Sequence, residues 1–225
     1  MRGAAGYRHN PGCKVRLSMD LWTYERAQWA LGRELICGVD EAGAGPLAGP
    51  VYAAAVILPR EADIPGLNDS KKLTEKKREA LYPIILETAV AYSIARVEAA
   101  EIDEIDILNA RMKAMQMAID GLSTQPDLAL IDGNRDHGTK CAIVTPHETL
   151  IKGDGLSASI AAASILAKVS RDRCAAGELH EAYPQYRFDK HKGYGTKLHY
   201  ELLDKYGPCP AHRVTFLKKW KAGKM

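Results

Sequence analysis

Four acids stand where chemistry can be done. In the stretch GVDEAGAGPLAGPV, Gly38 to Val51, the adjacent carboxylates Asp40 and Glu41 follow the apolar run Leu35-Ile36-Cys37 and open a glycine-rich loop. Asp132 closes the run LALIDG ahead of Gly133, and Asp154 closes LIKGDG between two glycines. An apolar run, an acid and a glycine therefore recur at three separated places. Read as three strand ends, they can meet at one point, because the functional crevice of an open α/β sheet lies at its strand ends. Hard cations such as Mg2+ take oxygen ligands and keep several waters, which suits three or four carboxylates without Cys or His. Two such ions roughly 3.5–4 Å apart stabilise both the attacking and the leaving oxygen in phosphodiester hydrolysis. Adjacent strand residues point to opposite faces, so the backbone is expected to leave β geometry if Asp40 and Glu41 are to share a site. A lone Asp after a strand is also a common turn former, its side chain bonding the next amides, and the pattern alone leaves that reading open.

Phosphate-cradling loops fit the same glycines poorly. A Walker loop needs Gly-Lys-Ser/Thr, which is absent, and a dinucleotide fingerprint must run into a helix, whereas Pro46 lacks an N–H and VYAAAVIL continues as strand. Two carboxylates beside the loop would repel a phosphate unless cations sat between them. Asp154 also lies just before a helix expected to start near Ser157, whose N-terminal end favours an anion.

The elements that must position these residues follow from periodicity. The 225 residues, 46% of them hydrophobic and 26% charged, fit one globular domain, and no apolar run approaches the roughly 18 residues that a membrane helix needs. Residues 1–33 read as a tail without an apolar signal region, followed by a helix in DLWTYERAQWALG ending at Gly32. Leu35 to Asp40 and Val51 to Leu58 read as strands, and a helix begins near Thr74 and bends or breaks at Pro83. AVAYSIARVE reads as a strand, and AAEIDEIDILNARMKAMQMAIDGL as a single helix ended by Gly121. Three strands are expected in DLALIDG, CAIVT and ETLIKGD, then a long alanine-rich helix halted by Pro184, whose Ala161, Ala162 and Ala163 suit close approach to a sheet. The order predicts an α/β core over 34–183 with a central mixed sheet flanked by helices, and a basic helical appendage over 184–225.

Five cysteines, at 13, 37, 141, 174 and 209, form no Cys-x-x-Cys pair and argue for a reducing, cytoplasmic home without disulfides or structural zinc. Net charge is only +3, but KHKGYGTK, HR and KKWK concentrate positive charge near the C-terminus, where it can neutralise phosphates.

In order along the chain, GVDEAGAGPLAGPV, LNDSKKL, LIDGN, IKGD, SIAAASILAKVSRDR, HKGYGT and HRVTF, spanning about Glu34 to Phe216, resemble the bacterial ribonuclease HII family. The resemblance implies a ribonuclease H-like fold. It also implies Mg2+- or Mn2+-dependent cutting of RNA in RNA–DNA hybrids and on the 5′ side of single ribonucleotides in duplex DNA, leaving 3′-hydroxyl and 5′-phosphate. The family's four acids fall on Asp40, Glu41, Asp132 and Asp154, and its sugar-contacting tyrosine on Tyr194. Its Gly-Arg-Gly turn, whose backbone reads the 2′-OH, falls on Gly43-Ala44-Gly45, so the arginine that adds a phosphate contact is missing here and weaker substrate binding or altered junction preference is expected. Lys71, Lys72, Lys192, His212 and Arg213 are candidate phosphate contacts, and Ser164 and Lys168 candidate supporting residues. The expected protein is a monomer with RNA–DNA hybrid and ribonucleotide-containing DNA as substrates and a DNA sliding clamp as a candidate partner. Ribonuclease HIII normally carries an extra N-terminal domain, for which the segment before Leu35 leaves little room, and ribonuclease HI lacks an adjacent Asp-Glu pair. A catalytically silent hybrid-binding module would have no use for four clustered acids.

Overall fold

A computed structural model describes residues 20–223. The expectations for the tail up to Met19, including Cys13, lie outside the described residues. Helix α1 (Thr23–Ala30) leads into a five-stranded mixed sheet built from β1 (Ile36–Ala42), β2 (Val51–Ile57), β3 (Ala91–Val97), β4 (Leu128–Asp132) and β5 (His147–Leu150). The order is β3-β2-β1-β4-β5, antiparallel from β3 to β1 and parallel from β1 to β5. Helices α2 (Glu75–Thr88), α3 (Ala99–Ile105) and α4 (Ile107–Asp120) come before β4 or between its neighbours, and α5 (Ala158–Ala176) follows β5. Four further helices, α6 (Glu178–Ala182), α7 (Phe188–His191), α8 (Lys197–Tyr206) and α9 (Lys218–Ala222), make up the C-terminal part.

The two sheet faces separate by residue parity, as strand geometry requires. Cys37 and Val39 of β1 and Ala129 and Ile131 of β4 pack in one cluster with Met112, Met115 and Ile119 of α4. Ala54 and Val56 of β2 pack on the other side with Ala162, Ala163 and Leu166 of α5. On that second face a Cβ at Gly38 would overlap the backbone of Ser159 and Ile160, so glycine is what lets α5 lie directly on β1. The alanines of α5 are buried there, in keeping with the close approach read from the sequence. Helix α1 is tied to the start of α5. The buried Glu25 carboxylate accepts from Ser157 Oγ at 2.6 Å and from the Ser159 amide at 3.0 Å.

Five expectations are corrected. The long alanine-rich helix does not run to Pro184 but stops at Ala176, capped at Gly177, and the short α6 follows it. Helix α2 runs unbroken through Pro83. The expected single helix over 99–121 is two, because Asp106 adopts φ +70° and caps α4, its Oδ1 accepting from the Asn109 amide at 3.0 Å. CAIVT is not a strand. Ile143 joins the core, but the amides of Cys141 and Val144 bond the side chains of Asn109 and Gln116 on α4 rather than a sheet neighbour. Strand β5 ends at Leu150, so Asp154 sits beyond it, in a 3-10 turn over Gly153–Gly155.

The C-terminal part packs on the β1–β2 connection, where Leu47 and Ala48 share a cluster with Tyr186, Phe188, Leu203 and Leu217. Backbone bonds join Leu47 N to Gly193 O (2.9 Å), Gly49 N to Ala211 O (2.8 Å) and Arg213 N to Leu47 O (2.8 Å).

Candidate active site

Strand β1 places Asp40 on the α5 face, opposite Ala54 of β2 and next to the end of β4, where Val39 pairs with Ile131 and the following residues are Asp40 and Asp132. The turn carrying Asp154 is brought to the same point by the Asp132 carboxylate, whose Oδ1 accepts from the Gly153 amide at 2.7 Å. Asp40, Asp132 and Asp154 each contribute a carboxylate oxygen to a group whose members lie within 4.8 Å of one another. Asp40 and Asp154 are each only 4% exposed. Burial, then the charges of Glu41 and Asp132, push the Asp40 carboxyl well above its ordinary range; burial and Asp132 push Asp154 the same way. Such a cluster is costly without cations, and hard oxygen donors brought this close fit a divalent ion such as Mg2+ or Mn2+.

Glu41 departs from the expectation. The strand does not break between Asp40 and Glu41 but continues to Ala42, so Glu41 points to the α4 face. Its Oε1 pairs with Arg111 Nη2 at 2.7 Å, and it is not one of the three clustered carboxylates. Arg111 carried no signal in the sequence, since its partner lies on another element and its spacing matches an ordinary exposed helix position.

Two adjoining clefts share Asp132 and Lys71. One is lined by Asp40, Glu41, Gly43, Ala44, Lys168 and Tyr194; the other by Asp69, Lys71, Lys72, Ile151, Lys152 and Asp154. Lys71 faces the acids, its Nζ 3.2 Å from Asp154 Oδ2. Desolvation alone would lower its ammonium pKa, but Asp40 and Asp154 outweigh it and hold the pKa above the usual value. The turn bearing Lys71 is fixed by Asp69 Oδ1, which accepts from the Lys71 amide at 2.8 Å, and by Arg78 of α2, which donates to Ser70 O at 2.9 Å. Asp69 is a further cleft residue that the sequence reading did not name, and Ser164 and Lys168, read there as supporting residues, both line the other cleft.

At the turn, Gly43 has φ +95°, which favours glycine, and a Cβ there would crowd Pro50 O at 3.0 Å and Arg171 Cγ at 3.2 Å. Gly45 has open space around it. Arg213 is a correction. It is fully buried and donates to Gly49 O (2.9 Å), Ala44 O (3.0 Å) and Gly43 O (2.7 Å), so it holds the turn from behind and does not meet a phosphate. Burial, together with the nearby Arg171 charge, lowers its pKa to about 9. Because a trans peptide points its N–H opposite its C=O, carbonyls 43 and 44 turned toward Arg213 aim the amides of Ala44 and Gly45 away from it.

His212 is likewise buried and bonded to protein. The Cys209 amide donates to His212 Nδ1 (3.0 Å), His212 Nε2 meets His199 Nε2 (3.0 Å), and His199 Nδ1 meets Tyr194 O (2.9 Å). Only one tautomer chain satisfies all three contacts: both rings neutral, His212 donating through Nε2 and His199 through Nδ1. Lys192 is half-buried with φ +49° and lines neither cleft. Tyr194 is 40% exposed, with Arg171 Cζ 5.0 Å and Lys168 Nζ 5.5 Å from its ring centre.

A family model described as Ribonuclease HII matches residues 37–221. The chain belongs to the ribonuclease HII family. It is 52% identical over 206 residues to the ribonuclease HII of Caldicellulosiruptor bescii, covering 91% of this chain and 98% of that protein. Against the ribonuclease HII of Endomicrobium trichonymphae identity is 54% over 198 residues, 88% of this chain and 92% of the relative. Among solved structures, the ribonuclease H2 of Pyrococcus horikoshii superposes with a TM-score of 0.68 at 26% identity, covering 84% of this chain and 98% of that one. Bst-RNase HIII, solved with Mn2+, shares the fold with a TM-score of 0.56 at 21% identity, covering 88% and 72% of the two chains.

Proposed function

We propose that this ribonuclease HII chain hydrolyses the RNA strand of RNA–DNA hybrids and cuts duplex DNA on the 5′ side of a single embedded ribonucleotide, leaving 3′-hydroxyl and 5′-phosphate. The convergence of Asp40, Asp132 and Asp154 within 4.8 Å, beside a backbone turn and an exposed tyrosine, is the observation that carries this reading. Mg2+ or Mn2+, held by these three carboxylates with Glu41 alongside, supplies Lewis acidity and an activated water when bound.

The chain's own residues do the rest. The amides of Ala44 and Gly45, pointing away from Arg213, are donors suited to a 2′-hydroxyl, the group by which RNA differs from DNA. Tyr194 offers a flat, partly exposed face to the neighbouring sugar, and the adjacent cations of Lys168 and Arg171 steady its ring. Lys71 and Lys72, both exposed at the lip of the clefts, are the cations we assign to phosphates of the substrate. The protein is read as a cytoplasmic monomer; among the described residues no helix is long and apolar enough to cross a membrane. A ribonuclease HII of Archaeoglobus fulgidus has been solved in complex with PCNA, and a sliding clamp is carried here as a candidate partner on that analogy.

Cleavage of a labelled duplex with one ribonucleotide, beside a full hybrid and plain DNA and with or without divalent ion, tests the reading. Ion-dependent cutting of the first two only is expected. Asp132→Asn should abolish cleavage while salt-sensitive hybrid binding persists, and full activity in that variant would remove Asp132 from the chemistry.

A further inference from the structure

The fourth acid has a partner that the proposed reaction does not use. Glu41 leaves β1 on the face opposite Asp40, and its side chain is 12% exposed. One carboxylate oxygen, Oε1, lies 2.7 Å from Arg111 Nη2; the other, Oε2, is buried with no hydrogen-bond partner, as is Arg111 Nε. Arg111 comes from α4, packed on the far side of the sheet from the helix that frames the other three acids. The pair is therefore half-made: one strong contact, with an acceptor and a donor left over, although a guanidinium and a carboxylate can form two parallel bonds. Glu41 nevertheless lines the cleft with Asp40 and Asp132.

We infer that Arg111 is a positioning residue that competes with divalent ion for Glu41, holding this carboxylate out of the acid cluster until an ion draws it in, and so sets the ion concentration at which the site fills. Two consequences have opposite signs. Without ion, Arg111 compensates a buried negative charge, so its loss destabilises the fold. With ion, Arg111 is a positive charge that must give up its hold, so its loss strengthens ion binding. A side chain with a purely structural role would weaken both.

The inference rests on the acids being ion ligands, but its test needs no nucleic acid, so its failure is distinguishable from a failure to cleave. Calorimetric titration with Mn2+ alone, on the parent, Arg111→Met and Arg111→Gln, is paired with thermal melts in chelator. Both variants are expected to bind Mn2+ about tenfold more tightly, a change of roughly 1.4 kcal/mol, while melting lower than the parent in chelator. In a Glu41→Gln background the Arg111 substitutions should no longer change Mn2+ affinity, since their shared contact is gone. If Arg111→Met does not fold in chelator, Arg111→Gln, which keeps a donor without the charge, carries the comparison. Unchanged or weaker Mn2+ binding, or an Arg111 effect that persists without the Glu41 carboxylate, would overturn the inference.

Discussion

Asp40 is where burial and chemistry pull hardest against each other. Its carboxyl is held above its ordinary value first by desolvation and then by Glu41 and Asp132, so the folded chain keeps a proton that the unfolded chain has already lost. A raised carboxyl contributes stability that is complete below the unfolded pKa, near 3.8, and is lost as pH rises through the folded value. At neutral pH and without divalent ion, the buried Asp40 carboxyl therefore costs the fold stability. Asp40→Asn should raise the ion-free melting temperature at pH 7 by a few degrees, since about 1 kcal/mol shifts Tm by roughly 2–4 °C at this size. The gain should shrink as pH is lowered toward 4, and added Mn2+ should stabilise the variant less than the parent. Melts in chelator and in Mn2+ across pH check this, and a lower ion-free Tm for Asp40→Asn at pH 7 would contradict it. Ala44 offers a test of the opposite kind. It lines the cleft at the turn position for which the family resemblance implies a phosphate-contacting arginine, while its carbonyl is already fixed by Arg213. Ala44→Arg should raise kcat/KM on a single-ribonucleotide duplex by restoring that charge without disturbing the turn, and an unchanged or lower kcat/KM would count against it.

At the scale of elements, what was legible in the sequence was whatever depends on local pattern. Strands β1 to β4 and helices α1, α2 and α5 follow from apolar periodicity and caps: Thr74 Oγ1 accepts from the Lys77 amide at 3.3 Å and Ser157 Oγ from Ile160 N at 3.1 Å. What was not legible depends on partners far away in the chain. The amides of CAIVT are taken by α4 side chains, so an apolar run of strand type stays out of the sheet. Asp154 reaches the site through a turn pinned by Asp132 rather than through its own strand end. Arg213 reads as a surface cation in HRVTF, yet three carbonyls from the β1–β2 connection justify its burial. The acids themselves were visible because an apolar run, an acid and a glycine recur at three places; that Glu41 stands apart was not, because it is the unbroken alternation in β1 that sends it to the other face. The close contact at Gly38 turns this into a prediction. Gly38→Ala forces a Cβ into the backbone of Ser159 and Ile160, which cannot give way as a flexible side chain would. It should cost several kcal/mol, well beyond the roughly 1 kcal/mol of a typical substitution, and denaturant titration should show it as a large fall in midpoint. Gly45→Ala, with open space around the site, should leave the midpoint near that of the parent.

For the whole molecule, the site has two supports that respond to acid in opposite ways. The sheet and the 3-10 turn ahead of α5 carry the carboxylates, while the C-terminal part carries Tyr194 and, through Arg213, holds the Gly43–Gly45 turn. Within that second support, His199 and His212 meet through their Nε2 atoms at 3.0 Å, His191 stacks on His199 at 4.2 Å, and Phe188, Tyr186 and the Cys209 thiol close the surroundings. Burial lowers the pKa of both His199 and His212 to about 4, from an ordinary 6.5, and lowers that of His191 as well. The sign follows from linkage: a depressed base contributes stability present above its unfolded pKa and lost as pH falls through the folded one, here between about 6.5 and 4. Protonating His199 also puts two N–H groups face to face across the 3.0 Å contact between the rings and breaks the chain that ends on the Tyr194 carbonyl, while protonating His212 sets its Nδ1–H against the Cys209 amide N–H. Falling pH also moves the buried carboxylates toward the protonated state that their surroundings favour, which relieves the sheet support. Acidification should therefore loosen α8 and the segment around Tyr194 while β1 stays protected. Hydrogen exchange of the ion-free protein at pH 7 and pH 5, corrected for the intrinsic pH dependence of exchange, should show protection falling in Lys197–Tyr206 but not in Ile36–Ala42. Equal loss in both segments would mean that the histidine network does not set the acid limit of the fold.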